Sequence, residues 1–410
     1  MEERSRTNFP KPTKQVDHLN VLSKLYNEEK KVKSISERIW KDSQRTGLDN
    51  HNLLVKELAS FGFTVTKHFL KEGNFKAEYS SKTEGGPAIA IVVEYSSMQE
   101  YGLNLVCEAG LAASLAIKGA MDSDPELKGK VVVLGFSASQ SYDSKANLVK
   151  EGVFEGLDAG LMAHPSKFNC AFPSLVSFME FSVRFKGEQV DAGYVPSPGK
   201  NALDAAVLAY QSIALMRPFL SQLESVQAIL KDSGIRANVI PGETGMVVHA
   251  RAANKHDLSL LFDKLTSCIK SAGSATNCEV EICQEESNCC DNFINNKVMG
   301  ELYKENAKKA TLSFPMLPPD ANPPMASTDM GIMSHLVPCI HPFFNIFTPN
   351  SFKFSDFRIA SNRPFAHRGA YLTGEALALT AIKLMRCPET LAQVRERFLQ
   401  DTGESHQMVV

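Results

Sequence analysis

The chain has 410 residues, 43% of them hydrophobic and 22% charged, and 44 Lys+Arg against 46 Asp+Glu leave a formal net charge of -2. That balance excludes a strongly basic nucleic-acid binder and an acidic solvating chain. The length predicts two or three domains, each able to bury a core without staples.

Residues 1–18 begin MEERSRTNFPKPTKQ, with no apolar signal segment, and read as a flexible tail. From Leu19 to Trp40, apolar residues at Leu22, Leu25, Val32, Ile35 and Ile39 predict a helix, and a second follows over Asn52 to Phe61. Ala88 to Val93 (AIAIVV) predicts a buried strand, Leu105 to Met121 a long Ala-rich helix, and Lys130 to Phe136 (KVVVLGF) a second buried strand. A helix around Lys145 to Glu151 and a strand-like run from Leu157 to Ala163 continue the alternation, which indicates βαβ units. The pattern then changes. Val176 to Phe185 is a strand, Asn201 to Met216 a helix capped by Asn201, Val226 to Leu230 and Met246 to Ala252 strands, His256 to Ala272 a helix, and Glu279 to Cys283 a strand. That β-α-β-β-α-β order is the ferredoxin-like unit. Helices over Asp291 to Lys309 and Gly369 to Arg386 complete the chain, separated by the Pro-rich loop Phe314 to Pro323. Residues 400–410 are polar and expected to fray. No apolar run approaches the eighteen or so residues of a membrane span.

The fold class expected is α/β, a mixed sheet flanked by helices, interrupted by a smaller α+β unit. Residues 19–174 and 291–399 form the discontinuous first domain and 175–290 the insert. Ligands of such sheets sit beyond the carboxyl ends of the strands, so the informative loops follow Val93, Phe136 and Ala163. They read Glu94-Tyr-Ser-Ser-Met-Gln-Glu-Tyr-Gly-Leu-Asn104, Ser137-Ala-Ser-Gln-Ser141 and Met162-Ala-His-Pro165. Together with Asn238-Val-Ile-Pro241, Ser327-Thr-Asp-Met-Gly331 and Ile340-His-Pro342, their order resembles the peptidase M20 family of zinc amidohydrolases from about Leu19 to Leu399. The likeness is greatest to its dipeptidase branch, which acts on β-alanyl or Xaa dipeptides with Lys, Arg or ornithine.

The resemblance implies a zinc-exopeptidase-like domain with a lid and dimerisation insert. It also implies paired metals held by a Cys-Gly-His-Asn turn, a Glu-Glu pair whose first member is the general base, a His-Pro histidine and a C-terminal histidine. This chain departs from that pattern. It has Tyr101-Gly102-Leu103-Asn104 for the turn, Ser139-Gln140 for the acidic pair and Lys353 for the last ligand. Asp191 aligns with the histidine that, in the family, reaches from the lid into the partner's site. Only His164 of the metal set remains. One neutral imidazole cannot hold a zinc ion that takes three or four protein ligands, and a lysine at a dication site repels it. No catalytic residue and no metal are therefore expected, and the chain reads as a catalytically silent homologue that binds.

On the substrate side Asn238, Arg251, Ser327, Thr328 and Asp329 match the family, and with His164 they are the candidate ligand-binding residues. An Arg grips a carboxylate and an Asn orients an amide, so the expected ligand is carboxylate-bearing, an amino acid or dipeptide. A homodimer, or pairing with an active paralogue, is the expected assembly, with no nucleic-acid or membrane partner. The alternative is an active amidohydrolase with a rebuilt zinc or manganese site, drawing on Glu100, Glu108, Asp143 or Asp356. A third reading is a metal-free hydrolase using Ser137 or Ser139 with His164. Gly135-Phe-Ser-Ala-Ser139 lacks the final glycine of a nucleophile elbow, and no phosphate-cradling glycine loop is present. Cys268, Cys278, Cys283, Cys289 and Cys290 show no Cys-x-x-Cys spacing, and nine cysteines without a short-chain disulfide framework read as cytoplasmic thiols. His335 and His341 read as structural.

Overall fold

The structure, a computed structural model, describes residues 18–41, 47–95, 102–137, 149–194, 199–313, 326–348 and 354–406. Helices α1 (His18–Lys41) and α2 (Gly47–Ser60) lead into strands β1 (Thr64–Lys67), β2 (Phe75–Ser80) and β3 (Ala88–Tyr95), helix α3 (Leu103–Ser123), β4 (Lys130–Ser137), β5 (Ala159–Leu161) and β6 (His164–Ser166). The insert follows: β7 (Ser177–Lys186), β8 (Val190–Asp191), α4 (Ala202–Met216), β9 (Ser225–Lys231), β10 (Val239–Ile240), β11 (Glu243–Ala252), α5 (Lys255–Ala275) and β12 (Glu279–Cys290). The chain ends with α6 (Lys297–Lys309), α7 (Met330–Ser334), β13 (Cys339–Ile340), β14 (Phe343–Asn345), α8 (Phe354–Ala360), α9 (Pro364–Arg386) and α10 (Pro388–His406).

Six strands form one sheet in the order β1-β2-β4-β3-β5-β13. β4, β3, β5 and β13 run parallel, and β2 joins antiparallel. Alternation in β3 shows why AIAIVV is a strand buried on both sides. Ile89, Ile91 and Val93 enter the core packed with α3 and α9, while Ala90 and Val92 enter the opposite core with Phe136, Met162 and Met333. The second sheet, β12-β7-β11-β9, is antiparallel throughout and carries α4 and α5 on one face over its own core of Phe181, Phe185, Val248, Leu261 and Leu265. Its strand order is that of the ferredoxin-like unit. Asn201 caps α4 by accepting from Leu203 N, 3.1 Å, as such a residue does at an N-terminus.

Several boundaries differ from the sequence expectation. The helix expected over Asp291 to Lys309 starts only at Lys297, because residues before the Asn296 cap return from the insert as hydrogen-bonded coil, with Asn292 N donating to Ser177 Oγ and Phe293 N to Leu175 O. The strand expected to stop at Cys283 runs to Cys290 past an irregularity between Gln284 and Cys289. Residues 400–406, expected as a frayed tail, continue α10, where Arg397 grips Asp401 with two guanidinium nitrogens. α3 is long and apolar enough to cross a membrane by length and composition, correcting the expectation of no such run, and 94% of its apolar window is buried inside the protein. The Pro-rich loop 314–323 and most of the helix expected around 145–151 lie outside the described residues.

Candidate functional site

The carboxyl ends of β3, β4 and β5 point to one region. β3 ends at Glu94 and Tyr95, β4 at Ser137, and β5 passes through Met162 and Ala163 to His164. His164 Nδ1 lies 3.1 Å from the carbonyl of Pro165 and donates to it, which leaves Nε2 as the bare nitrogen. Burial pushes this imidazole below its ordinary pKa; the Pro165 carbonyl and the charge of Glu94 push back. The ring lies 6.1 Å from His341 and 6.3 Å from Phe343, and His341 is edge-on to both Phe293 and Phe343. The last metal-ligand type thus stands against an aromatic cluster.

Leu103 is the residue that, by sequence, falls where the resembled turn has its histidine. It is 5% exposed and packs in the core with Val106, Phe136 and Met162. An isobutyl group offers no lone pair, so this position cannot ligate, and its burial strengthens the fold by about 1.5–3 kcal/mol. Tyr101, Ser139, Gln140 and Lys353 lie outside the described residues, as do Glu100 and Asp143. Among the described residues no three His, Cys, Asp or Glu side chains converge as a metal site would require. The donors that are placed, His164 with Glu94 nearby, do not fit a divalent metal that needs three or four protein ligands.

The remaining candidates are spread over three places. Ser327, Thr328 and Asp329 precede α7 at the foot of β7, where Val176 N donates to Ala326 O; Thr328 Oγ1 accepts from Met330 N at 3.3 Å, an ordinary turn contact. Asn238 donates from Nδ2 to Asp191 Oδ2 at 3.2 Å, and its carbonyl accepts from Ala192 N. A side chain expected to meet substrate therefore ties the β8–β10 ribbon. Arg251 lies on β11 opposite Phe178 of β7 and Ser225 of β9. Two strand positions away, His249 stacks on Phe178 at 4.7 Å. Burial first, and then the Arg251 charge, hold His249 down to about 4. His335 takes the structural role expected of it, with Nε2 on the carbonyl of Asn292 at 2.9 Å.

Of the carboxylates named for a rebuilt site, Glu108 is committed elsewhere. It is buried in α3, with Oε2 2.6 Å from His367 Nδ1 of α9. Asp356 lies in the first turn of α8. Glu94 is absent from the sequence candidates, although it is the first polar residue after an apolar strand and stands at the carboxyl end, where site carboxylates belong. Nothing in sequence could have paired Glu108 with His367, 259 positions away.

The chain is 34% identical to the Xaa-Arg dipeptidase of Mus musculus over 347 residues, covering 82% of this chain and 80% of that protein. It is 30% identical to the Xaa-Arg dipeptidase of Homo sapiens over 384 residues, 89% and 88% of the two chains. Among solved structures it is similar to a putative aminohydrolase from methicillin-resistant Staphylococcus aureus (TM-score 0.69, 14% identity, 90% of this chain and 100% of that one). It is likewise similar to a dinuclear metal binding peptidase of the M20 family from Bacillus subtilis (TM-score 0.60, 14% identity, 87% and 99%). No protein-family model matches the sequence.

Proposed function

The chain belongs to the peptidase M20 family, close to its dipeptidase branch, and from that premise we propose that it binds and does not hydrolyse. The ligand is a small carboxylate-bearing molecule, an amino acid or a dipeptide with a basic residue. The single observation that carries this reading is Leu103. A buried aliphatic core residue stands at a metal-ligand position, so regaining a metal there needs a new side chain and not a new rotamer. The replacements at Tyr101, Ser139, Gln140 and Lys353 support it from sequence, since they remove the general base and put an ammonium at a ligand position.

The purified chain, incubated with zinc or manganese and passed through gel filtration, is expected to retain far less than one metal per chain and to leave Xaa-Arg dipeptides intact. The same dipeptides and free arginine are expected to raise its melting temperature, because a ligand that binds only the folded state stabilises it. Stoichiometric metal together with turnover would replace this reading with that of an active, rebuilt amidohydrolase. The cytoplasm is the compartment that fits nine cysteines of which none is in a disulfide.

The assembly is a dimer joined through the inserts. β9 is an edge strand, paired among the described residues with β11 alone, and unpaired edges invite a second strand. Beside it Leu215 of α4 and Phe219 just past its end are 75% and 88% exposed. Light scattering is expected to give about twice the 45.0 kDa of one chain, falling to the single-chain mass in Leu215→Glu/Phe219→Glu. A wild type that is monomeric at micromolar concentration contradicts the assembly.

A further inference from the structure

The segment between β1 and β2 takes a partly left-handed path against two stacked histidines. His68 and Leu70 have φ of 50° and 63°, left-handed values that cost a residue bearing a Cβ roughly 1–2 kcal/mol each. Two backbone hydrogen bonds, Phe69 N to Asn74 O at 2.9 Å and Asn74 N to Lys71 O at 3.2 Å, and three further contacts hold the segment against that cost. Gly73 N donates to His68 Nδ1 at 3.4 Å. The exposed His68 ring stacks on the buried His51 ring of α2, centroids 4.7 Å apart and planes 20° apart. Tyr95, at the end of β3, donates its hydroxyl hydrogen to the carbonyl of Gly73 and lies 3.3 Å from His51 Nδ1.

The hydrogens can be counted. A tyrosine hydroxyl has one hydrogen, and the Gly73 carbonyl can only accept it. His51 Nδ1 therefore carries a hydrogen and donates to Tyr95. Its Nε2 is then a bare lone pair, buried and without a hydrogen-bond partner among the described residues. His68 Nδ1 must also be bare, since it accepts from Gly73. A proton placed on His68 Nδ1 destroys that acceptor and sets a cation against the stacked ring of His51.

The segment is anchored at the candidate site. Asn74 Oδ1 accepts from Ser137 N, the last residue of β4, at 3.3 Å. A Cβ on Gly73 would lie 3.5 Å from the Ser137 side chain, and its φ of 87° favours glycine in any case. We propose that residues 68–74 form a pH-operated strap on the carboxyl end of β4, closed while His51 and His68 are both neutral and released from Ser137 when the pair takes up a proton. The inference is independent of whether the site binds or cleaves.

The sign follows from the groups around His51. Burial, then His68, hold its imidazole below the ordinary value; Lys67 acts the same way, while the Gly73 backbone and Glu72 oppose. Tyr95, facing it from β3, is kept neutral by burial. The closed state therefore binds fewer protons than the open one. Closure is fully favoured above the free-histidine pKa of about 6.5 and weakens as pH falls below it.

Deuterium exchange on the full chain, corrected for intrinsic rates, tests this at about pH 7.5 and about pH 5.5, on either side of an ordinary histidine titration. The Gly73 and Ser137 amides are expected to lose protection about tenfold or more at the lower pH, with the centre of β4 unchanged. In His51→Gln/His68→Asn neither position titrates, and asparagine tolerates the left-handed φ at position 68, so protection of these amides in that variant is expected to be the same at both pH values. A wild type without the loss, or a double variant that still shows it, overturns the proposal. Histidine-ring NMR of the wild type supplies a check that needs no variant. One of the two stacked rings must take up a proton in the window where protection is lost, and a pair neutral throughout that window is equally fatal.

Discussion

Replacing His367 by alanine is expected to destabilise the protein by about 3–5 kcal/mol, the usual consequence of stranding one partner of a buried pair. His367 and Glu108 are 4% and 2% exposed and 2.6 Å apart, and the other ring nitrogen of His367 faces Asn362 Oδ1 at 3.2 Å. The pair joins the N-terminal parts of α3 and α9, two helices packed against each other. Beside it Asn104 donates to Ser36 Oγ and to the Ser361 carbonyl, so α1 and the end of α8 are tied into the same corner. Without His367 the buried Glu108 carboxyl loses the hydrogen-bond partner of its Oε2. Calorimetry should show a fall in melting temperature of about 3–6 °C. The double variant Glu108→Leu/His367→Leu is expected to recover most of the loss, because two apolar side chains leave no buried polar group without a partner. An alanine variant that melts with the wild type would mean that the pair contributes nothing to stability.

Restoring the family pattern at all five replaced positions is expected to have the largest effect on activity. The variant carries Tyr101→Cys, Leu103→His, Ser139→Glu, Gln140→Glu and Lys353→His. It should retain zinc or manganese through gel filtration and cleave Xaa-Arg dipeptides about two to four orders of magnitude faster than the wild type, the usual contribution of a positioned general base. Leu103→His alone is expected only to destabilise, by about 2–4 kcal/mol, since it removes a packed side chain and buries a polar ring. In the fivefold variant, metal binding to the folded state offsets that cost, so its stability should depend on metal concentration. Equal hydrolysis by wild type and variant would show that the five positions do not carry the chemistry and would revive the rebuilt-site reading.

Much of the fold was legible because burial imposes a period on sequence. The run AIAIVV at Ala88 to Val93 had to be a strand covered on both faces, and the β-α-β-β-α-β order of the insert follows from alternation, helical spacing and the Asn201 cap. The short strands β1 and β14 were not legible. They have four and three residues and no period of their own, and they are strands because a neighbouring strand supplies hydrogen-bond partners.

The site divides the same way. Sequence by itself carries the expectation that Tyr101, Leu103, Ser139, Gln140 and Lys353 cannot serve where the resembled family has its ligands and base, because the capacity to ligate is a property of the side chain. It also determined the family, since the loop order survives the substitutions. Only the tertiary structure decided which remaining groups meet. Glu94 comes near His164, Glu108 meets His367, Asn238 donates to Asp191, and two histidines 17 positions apart stack beside the turn whose Asn74 accepts from Ser137 N. The physical reason is one of range. Hydrogen bonds and ion pairs act over a few ångströms between side chains whose distance along the chain is unconstrained, and no local pattern of residues encodes them.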